Sequence, residues 1–496
     1  MELIKKRIHY IREGKKIFDQ FYVDEDYNIP EAKEDVRRIV DTGTELKIEE
    51  IRPVENYVRI TGKLYFRILY LNVSSDPKPG VLEGKLPFEE MVYAENQEGE
   101  EFYVQNVRIE FTPSLIHSRK LSLRAMVELE VGREKLVDEE TVTDAEGDVP
   151  LYKKMKKVQL LQLEVTKKDT YRIKEEITIP GTKESIGQIL FTDISERKLE
   201  LRPGQDELIV RGELFLFCMY LSGDEKPDWI SQTIPYEGRI PCEGISEEMY
   251  FSIRHTMEDT LTDLRMDEDG EMRILGIEGT LALHMNFYRE ESVELLEDLY
   301  SLQKQCLFDT TEVVCEELLM QNQSKCKVTE RLSLPELKTD VLQILHARGA
   351  IQVEHADRTG EGIRVEGILH LSFLYLRGDD AEPYGSWQGM IPFEHQIECK
   401  EMPEETVYNM EQHIEQLQIT LVGSESVEIK GILTFDTFLR RPVKVWTMEN
   451  VREEPLDLEQ LEKRPSIVGH IVQRGEDLWQ LAKQYMTTKE GIMEVN

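Results

Sequence analysis

The chain has 496 residues, a net charge of −36 at pH 7 and a hydrophobic content of 40%. This length is too great for one hydrophobic core and predicts three to four domains. The acidic excess is typical of a soluble protein, and it argues against nucleic acid or an anionic membrane as a direct partner, because both need clusters of lysine and arginine.

The first 14 residues form a basic lead-in, for which a short helix is one interpretation. They lack the apolar core of a secretory signal, and no run of apolar residues approaches the roughly twenty that span a bilayer. The six cysteines form no CxxC pair and do not match between the repeats described next, which indicates a reducing compartment. We therefore expect a cytoplasmic protein without a transmembrane segment.

One stretch occurs three times, at Pro30–Leu71, Pro180–Leu221 and Pro335–Leu376. The copies align without gaps, and such self-similarity indicates an internal repeat. The positions that are identical in all three copies are Pro30/Pro180/Pro335, Lys33/Lys183/Lys338, Ile39/Ile189/Ile344, Gly62/Gly212/Gly367, Leu64/Leu214/Leu369, Tyr70/Tyr220/Tyr375 and Leu71/Leu221/Leu376.

The second half of each copy alternates apolar and polar residues, as in Val58–Tyr70. This period of two predicts an antiparallel strand with one buried face. The repeated glycine, Gly62 in the first copy, lies in the apolar row and predicts a β-bulge or a close crossing of another backbone. The first half, Glu31–Val40, has apolar residues at helical spacing and predicts a short helix or a turn after Pro30.

A Pro-aromatic-Glu motif follows each central strand, ending at Glu89, Glu237 and Glu394. The proline predicts an edge strand or a strand start. Because no catalytic partner recurs with these glutamates, they are interpreted as structural. A second Gly-centred strand, around Gly279 and Gly431, closes the later repeats. Each repeat therefore consists either of two related half-units or of amphipathic strands that resemble each other by chance.

These patterns predict a mainly β protein of three tandem antiparallel β-sandwich or barrel-like repeats, followed by a small α+β module. The predicted repeats span residues 15–137, 165–291 and 320–445, and the predicted module spans residues 466–496. Three segments are predicted to be linkers, the second with partial helical periodicity. They are Val137–Asp148, Asp298–Leu319 and Glu449–Pro465.

The last segment has a different pattern of strand, helix and helix. His470–Gln473 is predicted to be a short strand, and Asp477 with Gln480 forms a capping box that begins a helix. A second capping box begins at Thr487. The residues predicted to face inward are Leu478, Leu481, Ala482, Tyr485, Ile492 and Val495. Trp479 lies about 100° from Leu478 around the helix, so it either completes a small core or lies at its rim.

This tail resembles a LysM domain in the stretch from His470 to Tyr485, where Gly475, Asp477 and Trp479 match the family pattern. The final residues, Ile492–Asn496, match the end of its second helix. The family's second strand is absent here, so we expect a βαα arrangement from either a fragment or an incomplete module. The resemblance implies a contact surface for a protein or glycan partner, at Arg474, Gly475, Glu476, Asp477, Trp479 and Asn496.

Three such β repeats followed by one LysM module resemble the SPOCS-domain (DUF3794) proteins, the SipL-like spore coat morphogenesis proteins of sporulating Clostridia. The resemblance implies a mother-cell cytosolic scaffold at the forespore surface, whose LysM module binds the SpoIVA-type ATPase of the coat basement layer. The LysM resemblance by itself implies the alternative, binding of peptidoglycan through N-acetylglucosamine polymers.

Chemistry typical of an enzyme is not apparent in the sequence. It contains no GxGxxG, GxxxxGK[ST], HExxH or GxSxG motif, and its ten histidines have no ligand spacing. We therefore expect no catalytic residues, no metal site and no cofactor.

Overall fold

The structure, a computed structural model, describes residues 1–95, 98–335, 341–423, 425–457, 459, 463, 465 and 467–495. Strands make up 75% of the chain and helices 3%, in several small antiparallel sheets. The mainly β prediction is therefore confirmed, and no sheet among the described residues closes into a barrel.

Twenty strands and two short helices are numbered here in chain order. They are β1 (Glu2–Glu13), β2 (Ile17–Asn28), β3 (Val36–Val54), β4 (Tyr57–Asn72), β5 (Pro79–Tyr93), β6 (Glu101–Phe111), β7 (Ser114–His117), β8 (Lys120–Glu146), β9 (Tyr152–Thr178), β10 (Ile186–Pro203), β11 (Glu207–Ser222), β12 (Pro227–Pro241), β13 (Tyr250–Met266), β14 (Met272–Tyr300), β15 (Lys304–Ser333), β16 (Val341–Thr359), β17 (Gly362–Arg377), β18 (Tyr384–Glu398), β19 (Val407–Leu421), β20 (Ser426–Pro455), α1 (Leu478–Tyr485) and α2 (Lys489–Glu494).

Each repeat consists of two antiparallel sheets that pack face to face. The first sheet has the strand order β3-β4-β5, β10-β11-β12 or β16-β17-β18, and the repeated sequence forms its first two strands. The second sheets are β13-β14-β9, β15-β20-β19 and, in the first repeat, β1-β8-β2 with β6 and β7 also paired to β8. Apolar residues from both sheets form one core, in which Leu214 of β11 and Leu281 of β14 are 1% or less exposed.

The repeated glycine lies opposite a β-bulge in all three central strands. The pairing of β3 with β4 shifts between Ile48 and Glu50, opposite Gly62, and equivalent shifts lie opposite Gly212 and Gly367. A Cβ atom at Gly62 would lie 2.2 Å from the carbonyl oxygen of Lys47 and 2.8 Å from the Phe88 ring. The predicted bulge and close approach are therefore confirmed, and they account for the glycine.

Gly62→Ala should lower the free energy of unfolding by about 1–3 kcal/mol, the usual cost of forcing atoms into a packed site. Gly181→Ala is the matched control, because a Cβ atom there has no neighbour within 4 Å. Denaturant unfolding measures both variants. Equal stability of the two would contradict this account of the repeated glycine.

The Pro-aromatic-Glu motif lies on the outer strand of each first sheet. Pro87 is on β5, an edge strand as predicted, and the Phe88 ring covers Gly62. Glu89 accepts hydrogen bonds from Arg59 of β4 at 2.9 Å. Glu237 pairs with Arg211 at 3.1 Å and Glu394 with Arg364 at 2.9 Å. The recurring partner of the glutamate is thus a cross-strand arginine, which accords with the structural interpretation.

The repeated tyrosine also covers a neighbouring strand. Tyr70 is 2% exposed, and its ring lies against Gly80, as the ring of Tyr375 lies against Gly385. In the second repeat Asp228 takes the place of that glycine, and the Tyr220 hydroxyl donates to it at 3.2 Å.

Several local predictions are wrong because long-range pairing overrides them. Residues 1–14 contain strand β1 in place of the predicted short helix. Of the two alternatives for Glu31–Val40, the turn is confirmed, and it leads into β3 without a helix. The predicted linkers Val137–Asp148 and Asp298–Leu319 are largely strand, within β8, β14 and β15. In the third, Glu449–Pro465, the residues up to Pro455 belong to β20. These strands pair with strands that are distant in sequence, β1 with β8, β14 with β9 and β15 with β20, and such a partner is invisible to a local periodicity.

The three repeats share cores and are not independent units on a string. One shared cluster joins Leu71, Phe217 and Leu374, one residue from the central strand of each repeat. Arg348 of the third repeat donates to Asp41 of the first at 2.6 Å, and His346 lies 2.9 Å from Asp193 of the second. These contacts place equivalent strands of all three repeats around one centre.

The half-unit hypothesis receives partial support from the pairing of the second sheets. The pairing of β13 with β14 shifts register between Glu258 and Leu261, opposite Gly279. The pairing of β10 with β11 shifts in the same way opposite Gly212. Superposition of the half-units remains the test of duplication.

The six cysteines are all free thiols, and Cys218 is fully buried in the apolar row of β11.

Candidate interaction site

The tail begins its first helix as the sequence predicts. Asp477 is the N-cap of α1, and its Oδ1 atom accepts a hydrogen bond from the Gln480 amide at 2.7 Å. This bond lowers the pKa of Asp477. The helix ends at Tyr485, and its C-cap residue, Met486, has a left-handed φ of 50°. The N-cap of α2 is Thr488, one residue after the predicted Thr487.

The strand predicted at His470–Gln473 does not form. Ile471 and Val472 are 88% and 61% exposed, so neither side chain packs against a sheet. His470 instead contacts the Tyr485 hydroxyl at 3.0 Å. The tail is therefore an extended segment followed by two helices, and the predicted βαα arrangement is corrected to αα.

Trp479 is buried in a core that the tail, through Ala482 and Ile492, shares with the second repeat. It is 5% exposed and packs edge-on against Tyr300, with ring centroids 4.9 Å apart. Tyr300 in turn stacks on Tyr152, its partner in the antiparallel pairing of β9 with β14. The Trp479 Nε1 atom donates a hydrogen bond to Asp298 at 2.7 Å. Trp479 thus fills a groove at the end of this strand pair of the second repeat.

Asp298 joins the tail helix to this strand pair through both of its carboxylate oxygens. The second oxygen accepts from the Lys483 ammonium at 2.6 Å, and the Tyr300 hydroxyl donates to the Thr487 carbonyl at 2.9 Å. Lys154 of β9 lies 3.5 Å from the capping carboxylate of Asp477. These four polar contacts surround the tryptophan and fix the orientation of the tail on the β structure.

The buried face of the tail differs from the predicted stripe. Leu481 and Ala482 are buried as predicted, but Leu478 is 41% and Val495 is 81% exposed. The Trp479 side of the helix faces β9 and β14, because the tail has no sheet of its own to cover.

The residues predicted from the resemblance separate into two groups. Asp477 and Trp479 face the β9–β14 strand pair, whereas Arg474 and Gly475 are exposed. Gly475 has a φ of 98°, which favours glycine. Glu476 accepts from the Gln473 amide at 2.8 Å and from His470 at 2.8 Å, and these bonds lower its pKa. Asn496 lies outside the described residues.

Sequence reasoning missed Asp298, Tyr300 and Tyr152, which form the receiving groove. Asp298 and Tyr300 lie within the segment that was predicted to be a linker. The signal that was available is the pair of tyrosines, Tyr152 at the start of β9 and Tyr300 at the end of β14, but their pairing emerges only from the register.

The described part of the chain holds no group of three or more histidine, cysteine or acidic side chains placed to bind a metal ion. Within the same residues, no helix has the length and apolarity needed to cross a membrane.

Comparison with known proteins identifies the repeats. Residues 35–112, 185–265 and 340–422 each match the family described as SipL, SPOCS domain. No match was found among curated proteins or among solved structures. Each matched segment covers the first sheet of one repeat and continues into the second. The three repeats are therefore SPOCS domains of the SipL family.

Proposed function

We propose that the protein is a non-enzymatic scaffold of spore coat assembly, and that its tail binds the SpoIVA-type ATPase of the coat basement layer at the forespore surface in the mother-cell cytoplasm. Membership of the SipL family points to a role in sporulation. The role in the spore coat, the ATPase as partner and the location at the forespore surface are proposals that rest on the resemblance described above. The LysM character of the tail is a proposal on the same basis.

The observation that carries the proposal is the division of the tail into a docked side and a free side. Trp479 and Asp477 hold the helices on the second repeat, which leaves Arg474 and Gly475 exposed at the start of α1. A short loop held at a fixed orientation loses little conformational entropy when it binds a protein surface. The interlocked repeats supply the rigid support that such a loop needs.

The alternative ligand is an N-acetylglucosamine polymer. Sugar rings commonly stack on exposed aromatic faces, and Trp479 is buried against Tyr300. The exposed part of the described loop offers an arginine and a glycine, which suit a charged protein surface better than a neutral glycan.

The purified ATPase, passed over the immobilised full chain, tests the proposal. Arg474→Glu should weaken binding by about tenfold or more, because it reverses a charge in the contact surface. Glu494→Lys, an exposed charge reversal on α2, is the matched control and should bind as wild type does. Full binding by a chain that lacks residues 466–496 would contradict the tail assignment. Binding of chitin oligomers but not of the ATPase would favour the glycan alternative.

A further inference from the structure

A cavity of about 360 Å³ lies between the second and third repeats, outside the tail. Its lining comes from β10 and β13 of the second repeat and from β15, β19 and β20 of the third. Phe251 and Phe438 form its apolar wall. Thr437 also lines it, is 2% exposed, and has a hydroxyl without a hydrogen-bond partner among the described residues. An unpartnered buried hydroxyl of this kind indicates a missing polar neighbour.

The two basic side chains of the lining are already paired. Arg202 lies 3.2 Å from Glu200 on its own strand, and His255 lies 3.2 Å from Glu196. Burial by itself lowers the pKa of His255, but the contact with Glu196 outweighs burial and the pKa is raised. The carboxylates of Glu411 and Asp436 add to this rise, so one imidazole faces the three carboxylates of Glu196, Glu411 and Asp436.

Two carboxylates of the lining, those of Glu411 and Asp436, have no cation hydrogen-bonded to them among the described residues. Burial raises the pKa of Glu411, although the charges of His255, Arg254 and Lys16 act to lower it. Asp436 accepts from the neutral Gln323 amide at 2.8 Å. His413 lies 3.7 Å from Asp436, but burial lowers the pKa of His413 and favours its neutral form. Both carboxylates thus lie at the cavity without a direct positive partner.

The other two junctions between repeats show how this chain satisfies similar groups. Between the first and second repeats, Arg254 donates to Glu134 at 2.8 Å and lies 3.7 Å from the Tyr103 ring centroid. Between the third and first repeats, Arg440 lies 3.2 Å from Glu13 and 5.9 Å from the Phe438 ring centroid. In each case a guanidinium lies between a carboxylate and an aromatic ring.

We propose that the cavity between the second and third repeats binds a guanidinium cation from outside the chain, held by Glu411 and Asp436 beside Phe251 and Phe438. The carboxylates supply charge-assisted hydrogen bonds and the rings supply cation–π contacts. The Thr437 hydroxyl supplies a further acceptor. The cation belongs either to a small free guanidine or to an arginine side chain of a partner protein, and both present the same planar group.

Isothermal titration calorimetry of the full chain with butylguanidinium tests this proposal, with butylurea as the neutral ligand of the same shape. We expect saturable one-to-one binding of butylguanidinium and none of butylurea. Glu411→Gln should weaken binding by about tenfold or more, as expected for the loss of a charge-assisted hydrogen bond. Glu428→Gln, an acidic residue of β20 that pairs with Lys430 outside the cavity, is the matched control and should leave binding unchanged.

The folding of Glu411→Gln is checked by its Tm without ligand. A carboxyl group whose pKa is raised by folding destabilises the fold when it is ionised, so the variant should be at least as stable as wild type at pH 8. Equal binding of butylurea and butylguanidinium, or unchanged binding by a folded Glu411→Gln chain, would overturn the proposal. The same titration with acetyl-Gly-Arg-Gly-amide identifies the source: tighter binding than butylguanidinium indicates a protein arginine, and weaker binding indicates a free guanidine.

Discussion

Arg440→Met should destabilise the protein by about 3–5 kcal/mol, the cost of leaving buried carboxylates without their positive partner. Arg440 is 1% exposed and donates to Glu316 at 2.9 Å and to Glu13 of the first repeat at 3.2 Å. Burial already raises the pKa of Glu316 despite the opposing pull of the guanidinium. Denaturant unfolding at pH 8, where the carboxylates are ionised, measures the loss.

The neighbouring residue supplies the control for this prediction. Arg441 is 41% exposed and pairs with Glu317 at 2.7 Å on the surface of the same β15–β20 strand pair. Arg441→Met should therefore change the free energy of unfolding by only about 0–1 kcal/mol. Glu316→Gln combined with Arg440→Met should recover part of the lost stability, because one buried charge is removed. Equal effects of the two single arginine variants would refute the role assigned to the buried network.

Trp479→Ala should detach the two helices of the tail from the second repeat while the β repeats remain folded. Truncation of a buried tryptophan costs about 3–5 kcal/mol, and helices of this length are unstable in water without packing. Hydrogen exchange measured by mass spectrometry should show lost protection in residues 478–494 and unchanged protection in β14. Partner binding should weaken in the same variant, because the loop at Arg474 loses its support.

Two further variants isolate the cause. Leu478→Ala alters an exposed side chain of the same helix and should keep the protection of wild type. Trp479→Phe keeps an aromatic ring against Tyr300 but loses the hydrogen bond to Asp298, so its protection should be intermediate. Unchanged protection in Trp479→Ala would mean that the tail is held by its other contacts, and partner retention at wild-type levels would contradict the assigned binding end.

The first sheets were predictable because their information is local and repeated. Alternation over Val58–Tyr70 predicted the central strand, and a glycine in the buried row predicted the bulge that the structure has opposite Gly62. A pattern that recurs at three matched places in the chain is much harder to explain by chance than a single copy. In the tail, the Asp477 capping box was predictable for the same reason, since a helix N-terminus depends on residues three positions apart.

Tertiary structure alone decided what pairs across long distances. The strands at residues 1–14 and in the predicted linkers exist because of partners such as Tyr10 with Val137 in β8, which no local periodicity reveals. Burial of Trp479 was one of two alternatives that the sequence left open, and its partners Tyr300 and Asp298 lie about 180 residues away along the chain. The sequence by itself thus determined the repeated sheets and the start of the tail helix. The meeting of the three repeats, the groove for Trp479 and the cavity at Glu411 depend on contacts between segments far apart in sequence.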